Sequence, residues 1–218
     1  MKPHILVQDD HLLIPGRQIL WKSAFGDINP GTILKELFGK NYQVAIAKGR
    51  SVEISAERIH SIGGFDWSYS KLGIDLGNTV VRSQHGTGST EPYTDALEVI
   101  AQLTKLFGLV CIVSRVNPAQ EIRARAWIQH YDFCNKTGIK PQDLHFCAER
   151  SDKAIIAKQV GLTHFIDDRP EVMYHLPQDI RKILFGPQKE DVAKFKLHHL
   201  EQVTSWKEIE QKLICPAT

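Results

Sequence analysis

From residue 71 onward the chain alternates short apolar runs with amphipathic segments, and this alternation constrains the fold more than any other feature of the sequence. The run 109–113, for example, is wholly apolar and is followed by Asn117-Pro118, a helix cap and a first-turn proline. Fully apolar strands joined by helices are typical of a parallel sheet that is covered on both faces. We therefore expect an α/β fold with a doubly wound parallel sheet.

The expected elements follow from the starts and stops of these segments. Helix caps are expected at Thr94, Asn117, Ser151 and at Thr204 or Ser205. Strands are expected over 71–75, 109–113, 144–147, 164–167 and 181–185, and helices over 94–107, 117–135, 151–161 and 206–213.

Residues 1–70 have a different character. Short apolar runs at 19–21, 44–47 and 52–54 predict strands, and a helix is expected over 32–38, closed by Gly39. Glycine and proline turn signals separate these runs, at Pro15-Gly16, Asn29-Pro30-Gly31, Lys48-Gly49 and Gly63-Gly64. We expect a small, mostly β element or domain over 1–70 and a main domain over 71–218.

Composition excludes several classes of protein. The chain has 218 residues, 42% of them hydrophobic, so it can bury a core and is not a disordered protein. Its net charge of +2 does not indicate a nucleic-acid partner. It has no apolar window of about 18 residues, and its start has too short an apolar run for a signal peptide, so no membrane partner is expected. Four cysteines without CxxC spacing favour reduced thiols in a cytoplasmic protein over zinc or disulfides.

Polar residues stand where the predicted strands end or the next helix begins: Asp75, Ser114, Lys153 and the pair Asp167-Asp168. Ligands bind at the carboxyl ends of the strands in sheets of this kind. These residues form a set suited to phosphoryl transfer. It contains a carboxylate nucleophile, a hydroxyl and an ammonium that can bind phosphate oxygens, and further carboxylates that can bind a divalent cation. Taken singly, each residue also fits a turn, a cap or a solvated surface position.

In order, these segments resemble the four motifs of the haloacid-dehalogenase (HAD) superfamily. Ile74 to Val81 is similar to the first motif, an apolar strand followed by Asp-x-Asp-x-Thr/Val, and Ile112 to Ser114 to the second. Lys153 matches the third motif, and Phe165 to Pro170 the fourth, an apolar strand ending in paired acids. The Asp-Asp-Arg-Pro run also resembles the fourth motif of the 5′(3′)-deoxyribonucleotidases. The resemblance covers about residues 71–214 and implies a HAD-like Rossmannoid fold.

The resemblance implies a magnesium-dependent phosphohydrolase in which Asp75 attacks phosphorus and Lys153 assists. The aspartyl-phosphate that forms is then hydrolysed by water. Mg²⁺ would be held by Asp75, by the backbone carbonyl of Gly77, and by Asp167 or Asp168.

Phosphate contacts are implied for Ser114, Arg115, Thr79 and Asn78. The intervals between the motifs leave no room for an inserted cap module. A capless member has an open site, which suits large or macromolecular phosphorylated substrates.

Gly77 departs from the family pattern, because phosphatases of the family have a second Asp there as general acid and base. Losing such help typically costs about 10²–10⁴-fold in rate. The chain is then a slow or inactive relative, or its substrate has a leaving group that needs no proton, or another group such as His85 or Asp95 supplies the proton. The alternative function is a catalytically weak protein that binds a phosphorylated ligand or a protein partner.

Overall fold

The computed structural model describes residues 17–22, 28–37, 41–46, 50–55, 59–65, 67–83, 90–187 and 200–214. The chain divides into two compact units, and the division lies between Ser70 and Lys71.

The first unit contains a five-stranded antiparallel sheet in the order β4-β3-β2-β1-β5. Its core is formed by Ile19, Ile33, Tyr42, Val44 and Ile54. The strands are β1 (Arg17–Lys22), β2 (Ile28–Leu37), β3 (Asn41–Ile46), β4 (Arg50–Ser55) and β5 (Ile59–Phe65).

The expected helix over 32–38 is wrong, because its residues up to Leu37 belong to β2. Thr32 pairs with Gln18 of β1 on one side and with Ala45 of β3 on the other. Hydrogen bonding to two neighbouring strands outweighs a weak local preference for helix.

Two of the expected turns are also wrong. Asn29-Pro30-Gly31 lies inside β2, and Gly63-Gly64 lies inside β5. The turns expected at Pro15-Gly16 and Lys48-Gly49, and the helix stop at Gly39, lie outside the described residues.

The second unit contains a six-stranded parallel sheet in the order β10-β9-β6-β11-β12-β13, and a small hairpin of β7 and β8. The predicted parallel sheet and α/β fold are therefore confirmed. The last strand of the sheet was not expected from the sequence. The strands are β6 (Lys71–Ile74), β7 (Val81–Ser83), β8 (Thr90–Pro92), β9 (Leu109–Arg115), β10 (Leu144–Cys147), β11 (His164–Asp167), β12 (Arg181–Phe185) and β13 (Leu200–Val203).

Within the described residues of the second unit, six α-helices connect and cover these strands. α1 packs against α3 and α6, whereas α4 packs against α5. Right-handed crossovers place these two groups on opposite faces of the sheet. None of the described helices has the length and apolarity needed to cross a membrane. The helices are α1 (Ala96–Leu106), α2 (Pro118–His130), α3 (Phe133–Thr137), α4 (Asp152–Val160), α5 (Pro170–His175) and α6 (Trp206–Leu213).

The helix starts agree only partly with the caps expected from the sequence. Asn117 and Gln120 form a reciprocal capping box, and Ser205 accepts a hydrogen bond from the Glu208 backbone N–H. Ser151 precedes α4 but makes no capping hydrogen bond. The residue before α1 is Asp95 rather than Thr94, and its side chain does not cap either.

The single helix expected over 117–135 is two helices. The chain turns after His130, where Asp132 adopts a left-handed conformation with φ 53°. α3 then continues with Phe133 fully buried, so packing of that ring fixes the new direction.

The order of the strands reverses between β6 and β11. From β6 the chain proceeds outward to β9 and β10, and from β11 it proceeds in the other direction to β12 and β13. Ligands of open α/β sheets bind at such a switch point, beyond the carboxyl ends of the strands. The fold therefore places a candidate site at the ends of β6 and β11.

Candidate active site

Three charged residues predicted from the sequence meet at this switch point. Asp75 directly follows β6, and its backbone N–H donates to the Ile166 carbonyl of β11 at 2.9 Å. Asp167 is the last residue of β11, and Lys153 lies in the first turn of α4. All three are buried. Two neighbouring strand ends and one helix start therefore converge on a single small volume.

Lys153 joins the two buried carboxylates. Its Nζ donates to Asp75 Oδ1 and to Asp167 Oδ2, each at 2.7 Å. Burial disfavours the ammonium, but the two carboxylates outweigh burial and hold the pKa of Lys153 above its ordinary value. They also offset the unfavourable position of a cation at a helix N-terminus. Lys153 is therefore a fixed positive charge.

The carboxylates at the end of β11 have raised pKa values. Burial, and then the neighbouring Asp75 carboxylate, raise the pKa of Asp167. The same two causes, in the same order, raise the pKa of Asp168 to about 6. Negative charge at this point thus exceeds what Lys153 compensates, and a bound cation would relieve the excess.

The oxygens of Asp75, Asp167 and Asp168 lie close enough to share one ion. One carboxylate oxygen from each lies within 4.8 Å of the others, and among the described residues this is the one group of acids, histidines or cysteines with such spacing. Hard cations bind oxygen at about 2.0–2.6 Å, so two ligands of one ion lie at most about 5 Å apart. The metal set expected from the sequence is brought together by the fold.

The two acids of the pair differ in their hydrogen bonds. Asp167 is fully buried, and its two oxygens accept from Lys153 Nζ and from the Arg169 backbone N–H at 2.9 Å. Asp168 keeps 14% of its side chain exposed and pairs with Arg169 Nε at 3.2 Å. Asp168 and Asp75 therefore present the carboxylate oxygens that an ion from solvent reaches most directly, while Asp167 orients Lys153.

The loop after Asp75 is a tight turn in which Asn78, rather than Gly77, takes the left-handed conformation, with φ 55°. The Asn78 backbone N–H donates to the Val81 carbonyl at 2.8 Å, and its side chain hydrogen-bonds to Asp168. Among the described residues no backbone N–H donates to the Gly77 carbonyl. That carbonyl is therefore available as a metal ligand, as the sequence resemblance implies.

A position can require glycine because its φ is positive or because a side chain would not fit, and neither reason applies at Gly77. Its φ lies outside the left-handed region, and it is exposed. Apart from its chain neighbours, no described heavy atom lies within 4 Å of the place a Cβ would occupy. A larger residue would fit at this position, so packing does not explain why the acid is missing.

A buried hydrogen bond between Thr79 and Trp206 holds the same loop in place. Thr79 is fully buried, and its carbonyl accepts a hydrogen bond from Trp206 Nε1 at 2.8 Å. Trp206 opens α6 and is itself buried. Sequence reasoning did not find this contact, since no local pattern relates two residues 127 positions apart.

Ser114 and Arg115 lie at the end of β9, the strand next to β6. Ser114 is buried and Arg115 is exposed. Within the described part of the chain, neither side chain forms a hydrogen bond or ion pair with the charged residues at the switch point. The strand order puts them beside the site, as expected for a phosphate pocket, without a hydrogen bond to its carboxylates among the described residues.

Of the two proton donors suggested by the sequence, Asp95 is described by the structure and does not join the cluster. Asp95 is exposed, adopts a left-handed conformation with φ 63° and belongs to no group of acids with Asp75. His85 lies outside the described residues.

Comparison with known proteins adds no relative: no protein-family model matches the chain, and no curated protein matches it. The fold and the geometry of the site therefore carry the functional argument.

Proposed function

We propose that the protein is a magnesium-dependent phosphohydrolase of the HAD type, with Asp75 as nucleophile. The observation that carries the proposal is the placement of Lys153, which holds Asp75 and Asp167 at 2.7 Å each where the strand order reverses. A carboxylate that a buried cation holds in place at the carboxyl ends of parallel strands is suited to attack a phosphoryl group.

Each residue has a distinct part in this reaction. Lys153 occupies Asp75 Oδ1, so Oδ2 is the oxygen that attacks phosphorus. The ammonium then offsets negative charge on the phosphoryl oxygens, and Ser114 holds one of them. When bound, Mg²⁺ would be held by Asp75, Asp168 and the Gly77 carbonyl, and would supply positive charge to the transferring group.

Gly77 makes the enzyme slow or specialised. It places no carboxyl group beside Asp75, and the structure leaves open space there. The leaving group therefore departs without the proton that a general acid supplies, a step whose loss costs about 10²–10⁴-fold for basic leaving groups.

The same glycine supports a second candidate function. A site that keeps its anion and cation contacts but lacks an acid would bind a phosphorylated ligand or a protein partner without efficient turnover. Under this alternative, Lys153 and the paired acids serve binding alone.

Hydrolysis of an aryl phosphate, with and without Mg²⁺, separates the two functions. The test variant is Asp75→Asn, and the matched control is Asp143→Asn, which lies just before the amino end of β10, whereas Asp75 follows the carboxyl end of β6. Magnesium-dependent turnover that is lost in Asp75→Asn and kept in Asp143→Asn is expected. No turnover on a broad panel of phosphates, with retained phosphate binding, would favour the binding function.

A further inference from the structure

Among the described residues, position 77 contributes no proton donor beside the reacting carboxylate. A Cβ at Gly77 would meet no described heavy atom within 4 Å outside its chain neighbours, and the residue faces solvent. Asp95, the one suggested donor that the structure describes, does not cluster with Asp75. Among the described residues, the acids nearest Asp75 are therefore the paired Asp167 and Asp168 of the site itself.

The charged residues of the site are committed to other contacts. The Lys153 ammonium donates to two carboxylates, and losing its proton would leave both buried without a counter-charge. Both Asp167 oxygens already accept hydrogen bonds, so neither is free to face a leaving group. Asp168 would be a ligand of Mg²⁺ in the proposed function, which leaves it without a proton while the ion is bound. The described residues of the site are consequently suited to a leaving group that is stable as an anion in neutral water.

This requirement divides phosphate compounds by chemical class. An alkyl phosphate ester releases a strongly basic alkoxide, which needs a proton in the transition state. A phosphoanhydride releases a phosphate group that is far less basic than an alkoxide, since the second pKa of an organic phosphate is about 6, and such a group departs as an anion without protonation. The second class fits a site without a general acid.

Three arginines follow the ends of neighbouring strands around Asp75: Arg115 ends β9, Arg150 follows β10 and Arg169 follows β11. Adjacent strands lie about 4.8 Å apart, so these three strand ends lie within about 10 Å of the end of β6. That distance is short enough for guanidinium groups to reach a second phosphate of a bound substrate, and their planar forks match phosphate oxygens.

The arginines differ in how freely they can bind. Arg115 is exposed and forms no hydrogen bond or ion pair with any described residue. Arg150 lies 3.4 Å from Glu171, and Arg169 lies 3.2 Å from Asp168, and both side chains are 44% exposed. Arg115 is thus the guanidinium most open to a departing phosphate.

We propose that the substrate of this site is a phosphoanhydride, either inorganic pyrophosphate or a nucleoside polyphosphate; this inference rests on the proposed phosphohydrolase function. Asp75 Oδ2 forms a bond to the terminal phosphorus, and the bond from that phosphorus to the bridging oxygen breaks. The electron pair leaves on the bridging oxygen, and the departing phosphate is held by Arg115. Water then attacks the aspartyl-phosphate, the bond from phosphorus to Asp75 breaks, and one proton passes to solvent.

The test compares kcat/KM with Mg²⁺ for inorganic pyrophosphate, a nucleoside triphosphate, an aryl phosphate and glycerol phosphate. At least one anhydride is expected to exceed glycerol phosphate by about 10²-fold or more. Turnover of pyrophosphate without the nucleotide, or the reverse, identifies which source of the anhydride the site takes.

Arg115→Gln isolates the second half of the proposal. Loss of a charged hydrogen bond should raise KM for the anhydride about tenfold to a hundredfold, and by a larger factor than it raises KM for the aryl phosphate, which has no second phosphate. The control is Arg123→Gln, an exposed arginine on α2 that should leave both substrates unaffected.

The outcomes distinguish this inference from the proposed function. Aryl phosphate turnover that needs Asp75, together with equal rates on glycerol phosphate and the anhydrides, overturns the inference and leaves the phosphohydrolase intact. Equal effects of Arg115→Gln on both substrates also overturn it. Absence of any turnover that depends on Asp75 overturns both.

Discussion

The parallel sheet contains two networks of charges, one at its centre and one at its β13 edge. Carboxylates outnumber cations in the central network, whereas cations outnumber carboxylates in the edge network. At the centre, the buried ammonium of Lys153 contacts the carboxylates of Asp75 and Asp167, and a third carboxylate, Asp168, lies within 4.8 Å of theirs. At the edge, one carboxylate, Glu201 of β13, receives two cations: Arg181 at 2.5 Å and Lys212 at 3.3 Å.

The pKa values move in opposite directions as a result. At the centre, burial and the neighbouring Asp75 raise the pKa of Asp168 to about 6. At the edge, burial opposes the charge of Glu201, but hydrogen bonds and charge from Arg181 outweigh it and lower the pKa. The edge network is complete without a ligand, whereas the centre has an excess of negative charge that a cation would neutralise. This difference in charge balance distinguishes a structural ion pair from a candidate ligand-binding site.

The largest expected effect is the loss of the central ammonium. Lys153→Met would leave Asp75 and Asp167 buried with no counter-charge, and should lower the free energy of unfolding by about 3–5 kcal/mol. Urea unfolding without Mg²⁺ measures it. Lys158→Met, an exposed position on the same helix, is the control. Equal losses in the two variants would contradict the account of the centre.

Gly77→Asp sharpens the comparison by adding a fourth carboxylate to the centre. Because the Cβ meets open space and the backbone needs no positive φ, the variant should stay within about 0.5 kcal/mol of the parent in unfolding free energy. Its activity on alkyl phosphates should rise by about 10²-fold or more, with a smaller gain on aryl phosphates. Steady-state kinetics on both esters tests this. A folded variant that binds Mg²⁺ normally without a preferential alkyl gain would speak against a missing acid.

Magnesium should stabilise the centre and leave the edge unaffected. At 100 times its dissociation constant, Mg²⁺ should raise the free energy of unfolding by about 2.7 kcal/mol. The increase should vanish in Asp75→Asn and persist in Glu201→Gln, as followed by thermal unfolding. A magnesium effect that survives in Asp75→Asn would place the ion elsewhere.

The smallest expected effect is the contribution of the edge network to stability, which is measured through its dependence on pH. Glu201 has a lowered pKa in the folded protein, so its pairing stabilises the fold above the ordinary glutamate pKa of 4.5 and this contribution is lost as pH falls below that value. Partial exposure limits it to about 1 kcal/mol. The difference in unfolding free energy between the parent and Glu201→Gln should therefore be present at pH 7 and shrink in acid. A constant difference down to pH 3 would refute the pairing.

The sequence predicted the parts of the molecule that are governed by local chemistry. The apolar run 109–113 forms a buried strand because its composition suits no other environment in a parallel sheet. Asn117 opens α2 because its side chain satisfies the free N–H groups of the first turn, and Gly161 ends α4 because it adopts φ 74° without strain. The positions of the strand ends also predicted that Asp75 and Asp167 belong to the site, since the carboxyl ends of parallel strands lie on the same side of the sheet.

The tertiary structure decided what depends on distant partners. The segment 32–37 is a strand because β3 pairs along it and β1 pairs with it at Thr32. Lys153 bridges Asp75 and Asp167 across 78 and 14 positions, and Trp206 reaches the Thr79 carbonyl across 127. Neither contact leaves a periodic or capping signal in the chain. The sequence can show which residues end a strand, but the balance of charge among them depends on how closely folding brings them together and how much water it removes.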